Sequence, residues 1–249
     1  MKDKIQEVAS ALARGKAMAL TGAGISVESG IPAFRGAQGL WSKYDPTEYA
    51  DIEAFRADPV KVWKMLKELN SLVLGAKPNP AHLALAALEA MGLLTLVVTQ
   101  NIDGLHQAGG NRNVVEYHGS SRNLRCLDCT KLFQTHQVDL AALPPRCVCG
   151  GLIKPDVIFF GEAIPPHAHR KATAGCGQCG VMLVVGTSAN VAPASHLPVL
   201  AKRAGALVVE INPEPTQLSR SVVDYSFQAS ASKILPMLVQ ALEQRAATA

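Results

Sequence analysis

The sequence predicts an α/β fold: a doubly wound parallel sheet that carries a smaller second domain. Three observations predict it. Short, near-continuous Val/Leu/Ile runs recur along the chain, the pattern of strands covered on both faces. These runs end in glycine or small polar residues, and helical patterns lie between them. Two stretches break the rhythm, one with helix-spaced apolar residues and one with paired cysteines.

Residues 1–14 (MKDKIQEVASALAR) place Ile5, Val8, Ala9 and Leu12 on one face of an amphipathic helix. Residues 17–20 are a short buried strand that opens into LTGAGISVESGIPAFRG at 20–36. The dinucleotide fingerprint G-x-G-x-x-G would need glycine at position 27, where this chain has Val27. Pro32, Phe34 and Arg35 follow at once, so the loop is expected not to settle into a helix. Stretch 38–77 holds no strand and reads as helical, with Trp41, Phe55, Trp63, Leu66 and Leu69 as apolar contacts. A helix at 80–91 leads to a second strand at 93–98, which ends in TQNID. The third strand, 114–117, ends at His118 and Gly119, and the cysteine stretch 122–151 comes next. A fourth strand is expected at 156–159, before Phe160, Gly161 and Glu162, and a helix at 167–174. The fifth, 181–185, ends in Gly186, Thr187 and Ser188, and a helix follows at 193–204. The sixth, 207–211, ends in Asn212, Pro213 and Glu214; a seventh at 223–227 and a helix at 233–244 complete the chain. The larger domain is thus 1–37, 78–121 and 152–249, and the smaller one combines a helical module, 38–77, with a cysteine module, 122–151. In such sheets ligands bind at the carboxyl ends of the strands, where these polar residues gather.

With 249 residues and 48% hydrophobic content, the chain can bury one large core plus a small module. Its net charge of +4 is not concentrated in any basic run, and aromatics are only 5%. Neither a nucleic-acid arm nor a base-stacking surface is expected. No stretch reaches the roughly 18 apolar residues of a membrane span. The expectation is a soluble cytoplasmic protein without membrane or nucleic-acid partners.

Cys126 and Cys129 form a C-x₂-C pair; Cys147 and Cys149 follow 17 residues later as C-x-C, before two glycines. Two close thiolate pairs suit a tetrahedral structural zinc with no open position, in preference to a disulfide. Cys176 and Cys179 have the spacing of a redox pair, but nothing thioredoxin-like surrounds them, so two free thiols just before a buried strand are expected.

Taken together, GAGISVESGIPAFRG at 22–36, TQNIDGLH at 99–106, YHGS at 117–120, the four cysteines, KPDVIFFGE at 154–162, VVGTSANVAPA at 184–194 and EINPEPT at 210–216 resemble the sirtuins, NAD-dependent protein lysine deacylases. The resemblance spans nearly the whole chain and keeps the family's order. It implies a Rossmann-type NAD-binding domain, and a smaller domain of a helical module plus a zinc ribbon. It implies that His118 is the general base for a ribose hydroxyl, and that Gln100 and Asn101 address the ribose and an ordered water. Asp103 would bind the nicotinamide carboxamide, with Ile102 against the ring. Amides of Gly22, Ala23 and Gly24 can approach the pyrophosphate, aided by Ser26, with Gly186, Thr187 and Ser188 as a second such loop. Asn212 and Glu214 would hold the adenosine ribose. Ala33 and Phe34 would pack near the nicotinamide end, and Arg35 would face the phosphates or anchor the loop. Ile158, Phe159, Gly161 and Glu162, with Val191 opposite, imply the acyl-lysine channel, and at least one of Ile158 and Phe159 is expected in the core.

Sirtuins that prefer succinyl or malonyl lysine carry a tyrosine and an arginine three apart in the helical module; those positions align with Leu66 and Leu69. Acetyl or longer apolar acyl groups are therefore expected over acidic ones. The implied reaction consumes NAD, releases nicotinamide and yields lysine and O-acetyl-ADP-ribose. Mono-ADP-ribosyl transfer, a non-catalytic NAD or ADP-ribose binding module with the ribbon contacting DNA, and an ordinary dehydrogenase are the rival readings.

Overall fold

A computed structural model of the chain describes residues 1–34 and 39–248; Arg35 lies outside the described residues. Its strands, in chain order, are β1 (Ala17–Thr21), β2 (Leu94–Thr99), β3 (Val114–Glu116), β4 (Gly119–Cys126), β5 (Leu132–Gln134), β6 (Ile153–Val157), β7 (Val181–Val185), β8 (Leu207–Ile211) and β9 (Tyr225–Phe227). The α-helices are α1 (Lys2–Leu12), α2 (Pro46–Tyr49), α3 (Ile52–Ala57), α4 (Pro59–Gly75), α5 (Pro80–Ala90), α6 (Leu105–Ala108), α7 (Pro166–Gln178), α8 (Leu197–Arg203) and α9 (Ala231–Thr248).

Six strands form one parallel sheet in the order β3-β2-β1-β7-β8-β9. The apolar runs explain why it is covered twice. Ala17 and Ala19 of β1 face one core with α1, α5 and α9, through Leu12, Leu85 and Leu238. Met18 and Leu20 face a second core with α7 and α8, through Ala172 and Leu197. Strand order reverses between β1 and β7, so a crevice opens beyond the carboxyl ends of these two strands.

The other three strands form an antiparallel sheet, β5-β4-β6. The segment expected as a fourth parallel strand belongs here. Pro155 has no N–H to give a ladder, which excludes it from the interior of the large sheet and suits the edge position of β6. The smaller core joins the two inserted stretches: Phe55, Trp63 and Met65 from the helical side pack with Leu124, Cys126 and Cys147, and with Ile153, Val157 and Phe159. The Trp63 indole N–H donates to Ile153 O at 2.9 Å, which ties α4 to β6. Tyr117 and His118 lie between β3 and β4, at the join of the two sheets, where Gly119 turns with φ +78°.

Candidate functional site

The loops after β1 and β7 meet at the crevice. Gly22 N–H donates to Val185 O at 3.0 Å, and Gly24 N–H to Gly186 O at 2.8 Å. A Cβ on Gly22 would lie 2.7 Å from Thr187 Cβ, and one on Gly24 would lie 2.7 Å from Gly186 Cα. These glycines let two backbones touch, and two of the three amides expected at a pyrophosphate are already engaged. Among the described residues, the Ala23 N–H has no backbone partner. The chain also turns helical at once, as a 3₁₀ helix over Ala23–Ser29 that ends at Gly30 with φ +88°. The expectation of no helix is corrected: Asn79, the N-cap of α5, donates to Ile25 O at 2.7 Å and to Ser29 Oγ at 3.0 Å, and so holds this coil from behind.

Around these loops lies a cleft of about 1020 Å³, lined by Gly22, Ala23, Gly24, Ala33, Phe34, Gln100, Asn101, Ile102, His118, Gly186, Thr187, Ser188, Asn212 and Glu214, and by Ile158, Phe159, Gly161, Glu162 and Val191. Phe34 stacks on Trp41 with ring centroids 5.0 Å apart. Ser26 and Asp103 do not line the cleft. Ser26 is fully buried, and its Oγ donates to Asp103 Oδ2 at 2.8 Å, while Asp103 Oδ1 accepts the Leu105 N–H at 2.9 Å. The pair supports the wall from behind.

His118 Nδ1 lies 3.2 Å from Gln100 O. A carbonyl oxygen only accepts, so Nδ1 carries the proton and Nε2 is left as a bare acceptor. Burial lowers the imidazole below its usual value, and the Gln100 carbonyl opposes that shift. Neutral His118 is therefore the dominant form at neutral pH. Asn101 Nδ2 donates to Gly22 O at 3.2 Å and to Ser26 Oγ at 3.1 Å, which leaves its buried Oδ1 without a partner among the described residues. An orphaned acceptor of this kind suits an ordered water or a ligand hydroxyl. Gln100 Nε2 donates to Thr187 Oγ1 at 2.9 Å and so links the two halves of the sheet.

The segment after β6 is held on both sides. Ile158 N–H donates to His118 O at 2.9 Å, and Phe160 N–H to Ala50 O at 2.8 Å. Lys154, only 3% exposed, sits 3.0 Å from Glu162 Oε2 and donates to Val157 O at 2.5 Å. Burial lowers the Lys154 pKa, and Glu162 opposes the shift. Phe159 is 6% exposed and packs edge-on to Phe55, so it belongs to the core as expected of one of the pair. Met65, Leu66 and Leu69 of α4 complete this end of the cleft. A further small cavity, about 60 Å³, shares Leu66, Leu69, Ile102 and Val157 with it.

Away from the cleft, the Sγ atoms of Cys126, Cys129, Cys147 and Cys149 all lie within 4.8 Å of one another. Cys126 and Cys149 are 3.6 Å apart, and Cys129 and Cys147 are 3.7 Å apart. Tetrahedral zinc with Zn–S near 2.3 Å spaces its sulfurs by about 3.8 Å, so the donor set fits that ion and is too wide for disulfides. A Cβ on Gly151 would lie 2.7 Å from Cys126 Sγ, which explains the glycine. Cys176 and Cys179 are buried, and burial pushes the Cys176 thiol up to about 12, away from the reactive thiolate.

Behind the two glycine loops, His82 and His106 form a buried pair. His106 Nε2 lies 2.8 Å from Thr21 Oγ1, His82 Nδ1 accepts the Asn79 N–H at 3.3 Å, and the two rings are 5.0 Å apart. Burial lowers His82 to about 4 and His106 to about 3. The unfolded chain takes up these protons near pH 6.5, before the fold does. Stability is therefore full above about pH 6.5 and falls as pH drops toward about 4 and then 3. Thermal midpoints measured from about pH 7 to about pH 4 should fall steadily, and His106→Gln should flatten the slope; a flat wild-type profile contradicts this assignment.

Sequence reasoning missed Val27, Glu28, Tyr49, Met65, Ile164 and His169 as cleft residues. They come from turns and helices packed across the crevice, and no local pattern marks them.

A model of the Sir2 family matches residues 22–193. The chain is 47% identical to NAD-dependent protein deacylase 2 of Pyrobaculum aerophilum, across 92% of this chain and 91% of that protein. It is 44% identical to the NAD-dependent protein deacylase of Pyrococcus furiosus, across 96% and 98%. Among solved structures, a Sir2 homolog–NAD complex superposes with a TM-score of 0.90 at 41% identity, covering 96% of this chain and 94% of that one. A Sir2–p53 peptide–NAD+ complex superposes with a TM-score of 0.85 at 33% identity, covering 97% and 98%.

Proposed function

The chain belongs to the Sir2 family and is an NAD-dependent protein deacylase, and on that premise we propose that it transfers the acyl group of an acyl-lysine to ADP-ribose, with acetyl or longer apolar groups preferred over succinyl or malonyl. The observation that carries this reading is His118, neutral and with Nε2 bare, in one cleft with both glycine loops and the apolar end of α4.

NAD supplies the activated ribose carbon and leaves as nicotinamide and O-acyl-ADP-ribose. The acyl oxygen takes the place of nicotinamide on the ribose carbon; His118 Nε2 then accepts the proton of a ribose hydroxyl as that oxygen attacks the acyl carbon, and one water adds as the acyl carbon–nitrogen bond breaks and lysine leaves. Asn101 Oδ1 holds a water or hydroxyl, and Gln100 braces the ribose. The Ala23 amide and the loop Gly186, Thr187 and Ser188 face the phosphates, while Asn212 and Glu214 hold the adenosine ribose. Ala33, Phe34 and Ile102 shield the nicotinamide end from water. Ser26 and Asp103 act from behind by fixing Asn101. Substrate peptides lie between the segment from Ile158 to Glu162 and Val191, in extended form. The four cysteines would hold one zinc with no open coordination position, and its work is structural.

Two features support the acyl preference. Leu66 and Leu69 line the cleft, and its charged lining among the described residues is acidic: Glu28, Glu162 and Glu214, besides the histidines. A succinyl carboxylate placed there meets no cation among the described lining residues, which is costly. An acyl series on one peptide, with NAD and mass spectrometry of products, tests the whole reading. Acetyl and longer apolar groups should be removed at least about tenfold faster than succinyl, with O-acyl-ADP-ribose formed. Faster desuccinylation overturns the preference, and ADP-ribose left on the protein substrate overturns the transfer.

A further inference from the structure

We propose that Glu210, which lines no part of the cleft, is a positioning residue for NAD: it closes the loop that carries Asn212 and Glu214 and so sets affinity for the adenosine end of the dinucleotide. The proposal rests on the deacylase reading above and assigns a role within that site.

Glu210 is 1% exposed, between two fully buried neighbours in β8, a place where an apolar residue is the norm. A carboxylate buried there needs dedicated partners. Three hydroxyls supply them. Thr216 Oγ1 donates to Oε1, and Oε2 accepts from Ser219 Oγ at 2.5 Å and from Ser226 Oγ at 3.0 Å. The hydroxyl directions are fixed by the backbone: Ser219 Oγ accepts the Thr216 N–H at 2.9 Å, and Thr216 Oγ1 accepts the Leu218 N–H at 3.1 Å. Both protons are thereby left for the carboxylate. Among the described residues, no cation pairs with Glu210.

The consequence lies in the loop between Glu210 and Thr216. Its first half is tied to the sheet, by Gly186 N–H to Ile211 O at 2.9 Å and Asn212 N–H to Phe227 O at 3.2 Å. Its second half returns to the sheet through Thr216 and Ser219 on Glu210. Within it, Asn212 Nδ2 donates to Glu214 O at 2.6 Å, and Asn212, Pro213 and Glu214 face the cleft. Without the carboxylate, the far end of the loop loses its two side-chain tethers, while His118 and the acyl channel lose nothing. Glu210 therefore governs where the ribose partners stand and takes no part in the chemistry.

Titration calorimetry with NAD and steady-state kinetics test this. Glu210→Ala should raise Kd and KM for NAD by about tenfold while kcat and the acyl-peptide KM stay within about twofold. Glu210→Gln should recover most of the loss, because the amide oxygen still accepts the Thr216 hydroxyl that tethers the loop end. Thr216→Val releases the loop end alone and should weaken NAD in the same way, whereas Ser226→Ala, which removes only the bond from β9 to Glu210, should not. That pair decides the matter if Glu210→Ala does not fold. Unchanged NAD affinity in Thr216→Val overturns the proposal, as does a parallel fall in kcat and thermal midpoint in Glu210→Gln. A wild-type protein that binds no NAD overturns the deacylase reading itself.

Discussion

His118→Ala should lower deacylation by about 10²–10⁴-fold, the usual contribution of one positioned general base. The loss should fall on turnover and leave NAD binding near wild type. Among the described residues the ring makes one hydrogen bond, to Gln100 O, and its backbone is held independently by Tyr117 N–H on Thr99 O and by Ile158 N–H on His118 O. Removing the imidazole therefore takes away the proton acceptor without unpinning the chain. The pH profile gives a second readout. Burial holds His118 below the usual imidazole value, so the basic form persists to lower pH than in a free histidine. The acid limb of kcat/KM should lie below about pH 6.5, with activity lost as pH falls through it. A variant with undiminished acyl transfer removes His118 from the mechanism.

The parallel sheet was legible because burial on both faces leaves a simple trace: β1, β2, β7 and β8 are nearly continuous apolar runs. The fourth run was misplaced because composition does not encode pairing partners; only the missing N–H of Pro155 hinted at an edge. Glycine content was legible and its purpose was not. Gly22 and Gly24 read as a phosphate cradle, yet both serve the contact with Gly186, an encounter between positions far apart in sequence. Ser26 and Asp103 show the same limit, since polar residues at a strand end can face the cleft or brace its wall, and the motif is identical in both cases. His82, His106 and Glu210 were legible only as residue types. Their burial and partners arise from tertiary packing.

Loss of the metal should have the other large effect. Structural zinc sites contribute roughly 10–16 kcal/mol of apparent binding free energy that is coupled to folding. The purified protein should hold one zinc per chain, and strong chelation or Cys126→Ser should abolish activity. The reason is geometric. Cys126 ends β4 and is fully buried, and it shares one core with Leu124, Ile153, Val157 and Phe159 and with Trp63 of α4. With the four thiols released, β4 and β6 lose the tie that closes their far end, and β6 leads directly into the segment proposed for the acyl channel. The parallel sheet has separate cores and contributes no ligand to the cysteine site. NAD affinity should therefore fall much less than peptide turnover, and far-UV dichroism should retain most of its helical signal. Metal-free protein with full activity and an unchanged thermal midpoint would mean that the cysteines hold no structural ion. Equal loss of NAD binding and turnover would mean that the two sheets are one cooperative unit, so the ratio of the two losses measures how far the acyl channel depends on the metal.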